Sequence, residues 1–408
     1  MPKVSERAKE ITHSPIRSLI EHAREAIDRG VEVLHLNIGQ PDIPTPKGAL
    51  NSLNHYDKTV IKYGASEGSK ELRSIVTDYY CNNVAPIESK DIYVTTGASE
   101  AITFVLFSCF NPEEEIIIPE PFYANYIGFT QMSGVSLVPV SSTIDDGFNL
   151  PDPSKFEAQI TEKTKAIFLC NPGNPTGNLY TKEQLEEIGS LVKKHDLFLI
   201  VDEVYREFCY DMDFTSVLSL DGLDDNVIVI DSVSKVFSAC GIRIGFVISR
   251  NEQLLANILK YAQLRLCPPA IGQHIAIHCF EERDSYLSTV KEEYNERRMF
   301  LFERLSNMEG VKCYLPKAAF YIMTELPVDD AYDFCKWMLT DFQLDGRTVM
   351  LAPGNGFYLN EHIGKKQVRI AFVLGQPELS NALDCLEKGI KQYQDQRVLS
   401  HSIPLNPV

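Results

Sequence analysis

Between about residue 70 and residue 250 the chain alternates short, unbroken apolar runs with helical segments, and few folds accommodate that rhythm. The runs are "DIYVTTG", "EEIIIPE", "VSLVPV", "AIFLC", "LFLIVDE", "VIVID" and "IGFVIS". Between several of them lie amphipathic stretches such as "SKELRSIVTDYYCNNV", "SEAITFVLFSCF" and "TKEQLEEIGSLVKKH". Strands without polar alternation bury both faces. The pattern therefore predicts an α/β domain with a mainly parallel sheet covered by helices on both sides.

The rhythm changes near residue 283. A long helical stretch, "SYLSTVKEEYNERRMFLFERLSNM", leads to "VKCYLP", "AAFYIMTEL", "DDAYDFCKWMLTDF" and "QVRIAFVL", which read as a smaller α+β domain. At the other end, "SPIRSLIEHAREAIDRG" reads as one helix stopping at Gly30, followed by a strand in "VEVLHLNIG" and the proline-rich "QPDIPTPKG". The expected division is residues 1–47 as a segment of the small domain, 48–285 as the large domain, 286–396 as the small domain and 397–408 as a tail.

Of 408 residues, 44% are apolar, enough for a sizeable core. A count of 56 acidic against 39 basic residues gives −17, which disfavours nucleic acid and anionic membrane as partners. Ten cysteines are scattered without zinc or redox spacing, so no metal site is expected and the thiols read as buried and free. The N-terminus lacks a signal-peptide core, and no apolar run approaches the ~20 residues needed to span a bilayer. A soluble, cytoplasmic protein is expected.

In open α/β sheets ligands bind beyond the C-terminal ends of the strands, so the residues that end each run matter most. After "DIYVTT" come Gly97, Ala98 and Ser99, an ordinary helix start or an anion cradle. After "AIFLC" comes the stiff loop "NPGNPTG" carrying Asn174, a turn or a binding loop. After "LFLIV" comes Asp202, a helix cap or a partly buried carboxylate that needs a partner, with Tyr205 three residues on.

After "VIVID" comes "SVSKVFSACGIRIG". A lysine at the end of a buried strand is costly and shifts readily toward its neutral, imine-forming state. Around Lys235 stand Ser232, Ser234 and Arg243, groups suited to a phosphate. A snorkelling lysine is the bland alternative, while a nucleotide-phosphate lysine lacks its glycine-rich loop. An imine-forming lysine, a phosphate cradle and a buried aspartate together match the aldehyde, phosphate and ring nitrogen of pyridoxal 5'-phosphate.

The sequence resembles the class I aminotransferases of the pyridoxal-phosphate fold type I group over roughly residues 4–392. The motifs carrying the resemblance are "LNIGQPDIPTP", "YGASEGSKELR", "TTGASEAI", "PEPFYANY", "NPGNPTG", "VDEVY", "SVSKVFSACGIRIG" and "VRIAFVL". It implies a seven-stranded large-domain sheet, a pyridoxal-phosphate cofactor, L-amino acid and 2-oxo acid substrates, and a homodimer with shared active sites. By the same resemblance Lys235 looks like the imine lysine and proton-moving base. Asp202 looks like the partner of the ring nitrogen, Asn174 and Tyr205 like those of the phenolic oxygen, and Tyr123 like the ring-stacking aromatic. Gly97, Ala98, Ser99, Ser232 and Arg243 fall at the phosphate, with Tyr63 reaching it from a neighbouring subunit. Arg369 looks like the grip on the substrate α-carboxylate, assisted by Gly39 and Asn174; a structural ion pair is its alternative.

Some dicarboxylate-preferring relatives carry a lysine where this chain has Ser99, and Arg17 is one arginine that could replace that charge. The resemblance implies amino transfer by a two-stage mechanism. The alternatives are a carbon–sulfur β-lyase of the same fold and a non-catalytic binding module.

Overall fold

The computed structural model describes residues 2–12, 14–360 and 362–401. Its strands in chain order are β1 Glu32–His35, β2 Ile92–Thr95, β3 Glu115–Glu120, β4 Ser136–Ser141, β5 Thr164–Cys170, β6 Phe198–Asp202, β7 Val227–Ser232, β8 Gly245–Ile248, β9 Lys312–Cys313, β10 Tyr321–Glu325, β11 Arg347–Met350, β12 Ala352–Pro353 and β13 Gln367–Ala371.

Seven of them form one sheet in the order β2-β8-β7-β6-β5-β3-β4. Its pairings are parallel except where β8 runs against β2 and β7. The unbroken apolar runs explain themselves at β7. Val227 and Val229 face one core layer, whereas Ile228 and Ile230 face the other. Ile167 and Leu169 of β5 likewise join the first layer, and Ala166 and Phe168 the second. Each strand thus needs apolar side chains on both faces, as a helix-covered sheet demands.

The remaining strands make a parallel pair, β1 with β11, and a four-stranded antiparallel sheet, β12-β13-β10-β9, over a third core. The helix Arg283–Ser306 leads from the large sheet to this part, and the expected domain boundary at residue 285 falls inside its first turn. Here the N-terminal segment differs from its sequence reading. The expected single helix is a 3₁₀ turn, Pro15–Arg17, followed by a separate helix, Ile20–Asp28. Side-chain bonds from Ser14 to Asn125 and from Asn37 to the Ile16 carbonyl hold the turn away from the helix axis. The C-terminal helix, Gln376–His401, runs past the expected tail boundary at residue 397; residues 402–408 lie outside the described residues. Of the cysteines, Cys209, Cys279, Cys335 and Cys385 are buried, but Cys81 is exposed, contrary to its sequence reading. No helix among the described residues is long and apolar enough to cross a membrane.

Candidate active site

β2, β5, β6 and β7 point the same way, so their C-terminal ends share one edge of the sheet, and a cavity of about 460 Å³ opens there. Its lining brings together Gly39, Ala98, Ser99, Tyr123, Asn174, Asp202, Tyr205, Ser232, Lys235, Arg243 and Arg369. Gly97 stands directly behind, where a β-carbon would overlap the Arg243 guanidinium. Tyr63 alone lies apart, 80% exposed on the surface.

At one end of the cavity, lined by Ala98 and Ser99, the helix Gly97–Cys109 begins without a side-chain cap. Gly245 presses against this turn so tightly that a side chain would overlap the Gly97 and Ala98 backbone. Arg243 holds a left-handed backbone conformation (φ 57°), and its Nη1 donates to the Cys240 carbonyl at 3.0 Å. The Ser232 hydroxyl is engaged with Ser234 Oγ (2.8 Å) and the Ile244 carbonyl (2.9 Å), which leaves Ser234 the freer donor. Beneath, buried Asp231 accepts from the Ser232 amide (2.6 Å) and the Tyr80 hydroxyl (2.8 Å) and pairs with Arg206. A fully compensated buried charge thus braces the turn that carries Lys235.

Lys235 is half-buried, its amine exposed to the cavity rather than to the outer surface, and Nζ donates to the Gly39 carbonyl at 2.7 Å. Burial lowers its pKa, and the guanidiniums of Arg369 and Arg243 push the same way. Asp202, ending β6, is raised to about 6 by burial, against the pull of the Tyr126 hydroxyl (2.8 Å) and the Val204 amide (3.2 Å). The Tyr123 hydroxyl accepts from Asn125 Nδ2 at 2.8 Å, and its ring meets Tyr126 edge-on.

Arg369 on β13 is 1% exposed, and among the described residues it pairs with no carboxylate. Nη1 donates to Asn174 Oδ1 (3.0 Å) and Nη2 to the Asn37 carbonyl (2.5 Å), while Nε has no partner among the described residues. Its guanidinium lies over the rings of Tyr321 (4.5 Å) and Phe357 (5.0 Å). A buried cation on aromatic faces, with donor capacity left over, has the chemistry to receive a carboxylate.

Three participants escaped the sequence reading. Tyr126 bonds Asp202, Asn37 bonds Arg369, and the Tyr321 hydroxyl lies 2.8 Å from that of Tyr205. Gly39 is glycine because a β-carbon there would overlap the Tyr321 hydroxyl. Tyr126 lay within "PFYANY", one helical turn after Tyr123, and that spacing was the available signal.

These residues fit pyridoxal phosphate on the structure's own terms. An uncapped helix start with Arg243 and two serines suits a phosphate, a depressed lysine suits an aldehyde, and a carboxylate held by a tyrosine suits a protonated ring nitrogen.

Comparison with known proteins agrees. A family model described as "Aminotransferase class I and II" matches residues 31–386. A putative aminotransferase, YugH, of Bacillus subtilis is 32% identical over 387 residues, covering 93% of this chain and 96% of that one. An aspartate aminotransferase of Thermotoga maritima is 30% identical over 389 residues, covering 94% and 98%. Among solved structures, an alanine aminotransferase from Pyrococcus furiosus superposes with a TM-score of 0.87 at 29% identity, covering 96% of this chain and all of that one. With lysine, aspartate and arginine facing one cavity on this fold, the chain belongs to the class I and II aminotransferases, which transfer amino groups with pyridoxal 5'-phosphate.

Proposed function

We propose that this enzyme moves the amino group of an L-amino acid to a 2-oxo acid in two half-reactions, with Lys235 as the proton-moving base. The observation that carries the reading is that Lys235 and Arg369, which has no carboxylate partner among the described residues, open into the same cavity. When bound, pyridoxal phosphate supplies an aldehyde for the amino group and a ring that delocalises the electron pair left by the α-proton.

The chain's own residues do the rest. Arg369 and Asn174 orient the substrate by its α-carboxylate, which sets the α-hydrogen toward Lys235. Lys235 Nζ, kept toward its neutral form by burial, takes that proton. The Gly39 carbonyl holds the amine in place before and after the transfer. Asp202 and Tyr126 would hold a proton at the ring nitrogen, and Tyr205 with Tyr321 would donate to the phenolic oxygen. The helix start at Gly97, Ala98 and Ser99, with Ser232, Ser234 and Arg243, would anchor the phosphate.

The names of the relatives, which include aspartate and alanine aminotransferases, support amino acid and 2-oxo acid substrates. Mixing the holoenzyme with an amino acid alone should change the cofactor absorbance and release one 2-oxo acid per site. Release of ammonia and pyruvate from cysteine without an acceptor would instead make it a β-lyase.

The working unit in this reading is a homodimer. Leu50, Leu53, Val60, Ile61, Tyr63 and Ile271 are exposed large apolar side chains, and Val60 and Tyr63 line a surface groove that a second copy would cover. Sedimentation is expected to give twice the mass of one chain. Replacing Tyr63 with Phe should weaken cofactor binding by about tenfold, as loss of one hydrogen bond to a charged group does. A monomeric holoenzyme of full activity would overturn both expectations.

A further inference from the structure

Beneath the cavity lies a buried charge cluster that the steps above leave unused. Arg206 is 4% exposed and Asp231 is fully buried, and neither side chain lines the cavity. Asp231 Oδ1 accepts from the Ser232 amide (2.6 Å) and pairs with Arg206 Nη1, while Oδ2 accepts from the Tyr80 hydroxyl (2.8 Å). Arg206 Nε donates to the Tyr79 hydroxyl at 2.7 Å, and its guanidinium lies over the rings of Tyr79 (4.9 Å) and Tyr80 (5.3 Å). The Tyr79 hydroxyl donates in turn to Glu207, whose carboxylate accepts from Arg283 Nη2 (3.2 Å) and Nε (3.3 Å). Arg283 opens the helix Arg283–Ser306 that leads to the smaller sheets. One hydrogen-bonded chain therefore runs from the start of that helix to the end of β7.

What the chain holds is the turn after β7. Ser232 ends that strand, its hydroxyl accepts from the Ser234 amide at 3.0 Å, and the short helix so capped, Val233–Val236, carries Lys235. Asp231 meets only donors, namely an amide, a hydroxyl and a guanidinium. It satisfies all three only while ionised. Burial pushes its carboxyl up, and the Arg206 guanidinium is the largest pull in the other direction. Fold stability alone does not call for such a pair, because apolar side chains of like volume in its place often leave stability unchanged or raise it. A fixed direction at one amide is what apolar packing does not supply.

Resting on the reading of the Ser232–Lys235 turn as the anchor for phosphate and aldehyde, we propose that Arg206 is a positioning residue for amino transfer. It acts through Asp231, keeping that carboxylate aimed at the Ser232 amide, and so sets where Ser234 and the Lys235 amine stand. Tyr79, Glu207 and Arg283 hold Arg206 itself in place from the side of the smaller sheets. A shift of the turn by about half an ångström is enough to spoil both contacts.

The test reads the phosphate cradle and the turnover separately, at a temperature where every variant is folded. Cofactor-free protein titrated calorimetrically with inorganic phosphate should lose affinity about tenfold on Arg206→Met and regain part of it with Arg206→Lys. The Arg206→Met holoenzyme should show kcat lowered about tenfold with KM for the amino acid little changed, because Arg369 and Asn174 are untouched. Arg206→Met leaves Asp231 without its cation, which threatens the fold, so the apolar pair Arg206→Met/Asp231→Leu is the second variant. It should melt within a few degrees of wild type, yet bind phosphate as weakly and turn over as slowly as Arg206→Met. Phosphate affinity and kcat of the apolar pair equal to wild type would reduce the cluster to a structural brace and overturn the role of Arg206. A wild type that takes up no phosphate at all would instead strike at the anchor reading, and this proposal with it.

Discussion

Lys235→Ala is expected to slow both half-reactions by at least ~10⁴-fold, combining loss of the base with loss of the covalent tether. Nothing around the amine can replace it. Its neighbours are the Gly39 carbonyl, which only accepts, and Cys240, whose thiol lies 4.0 Å away and donates to the Ser234 carbonyl. The substitution leaves one carbonyl facing a wet cavity, so the fold and the phosphate cradle should survive, and the variant should still bind cofactor non-covalently. Small primary amines added to the solution should restore part of the rate, because the missing function is a neutral amine and not a charge. Lys235→Arg should therefore not rescue, since guanidinium stays protonated. Borohydride should fix the cofactor on the peptide carrying Lys235 in the wild type and on no peptide of the alanine variant. A variant that turned over within tenfold of wild type would remove Lys235 from the mechanism.

That residue was legible from sequence because its oddity is local. A lysine three residues beyond a strand buried on all six positions, in the short helix Val233–Val236, is conspicuous in any reading of "VIVIDSVSK". Asp202 after five apolar residues is conspicuous for the same reason, and the seven apolar runs carried the large sheet with them. What stayed hidden depends on elements distant in the chain. Tyr321 meets Tyr205 across 116 positions, from an antiparallel sheet whose approach no strand pattern announces. Asn37 reaches Arg369 over 332 positions. Asp231 on β7 and Arg206 in the turn after β6, both buried, are paired only by folding. The N-terminal turn was misread because proline and serine at a helix start give the same local signal as a 3₁₀ turn. Only the contacts of Ser14 and Asn37 decide between them.

The second large effect concerns Asp202, where activity and stability should move in opposite directions. Raising its carboxyl from 3.8 to about 6 means that folding takes up a proton between those values. The sign follows directly. Below pH 3.8 the group is protonated in both states and contributes nothing. As pH rises toward 6 the unfolded chain releases its proton first, so the cofactor-free fold loses stability, and above about 6 the deficit is constant at about 3 kcal/mol. Asp202→Asn removes the titration while its Oδ1 can still accept from Tyr126. The cofactor-free variant should therefore melt several degrees above wild type at pH 8, with the gain shrinking by about half at pH 5. With cofactor the order should reverse, because the wild-type carboxylate gains a cationic ring nitrogen as its partner and the amide does not. Turnover should fall by on the order of 10²–10³-fold, the usual consequence of removing one preorganised electrostatic partner. Calorimetry of both proteins with and without cofactor at the two pH values checks the crossing. If Asp202→Asn lowered the melting temperature of the cofactor-free protein at pH 8, the carboxylate would be a structural anchor and not a charge kept for the ring.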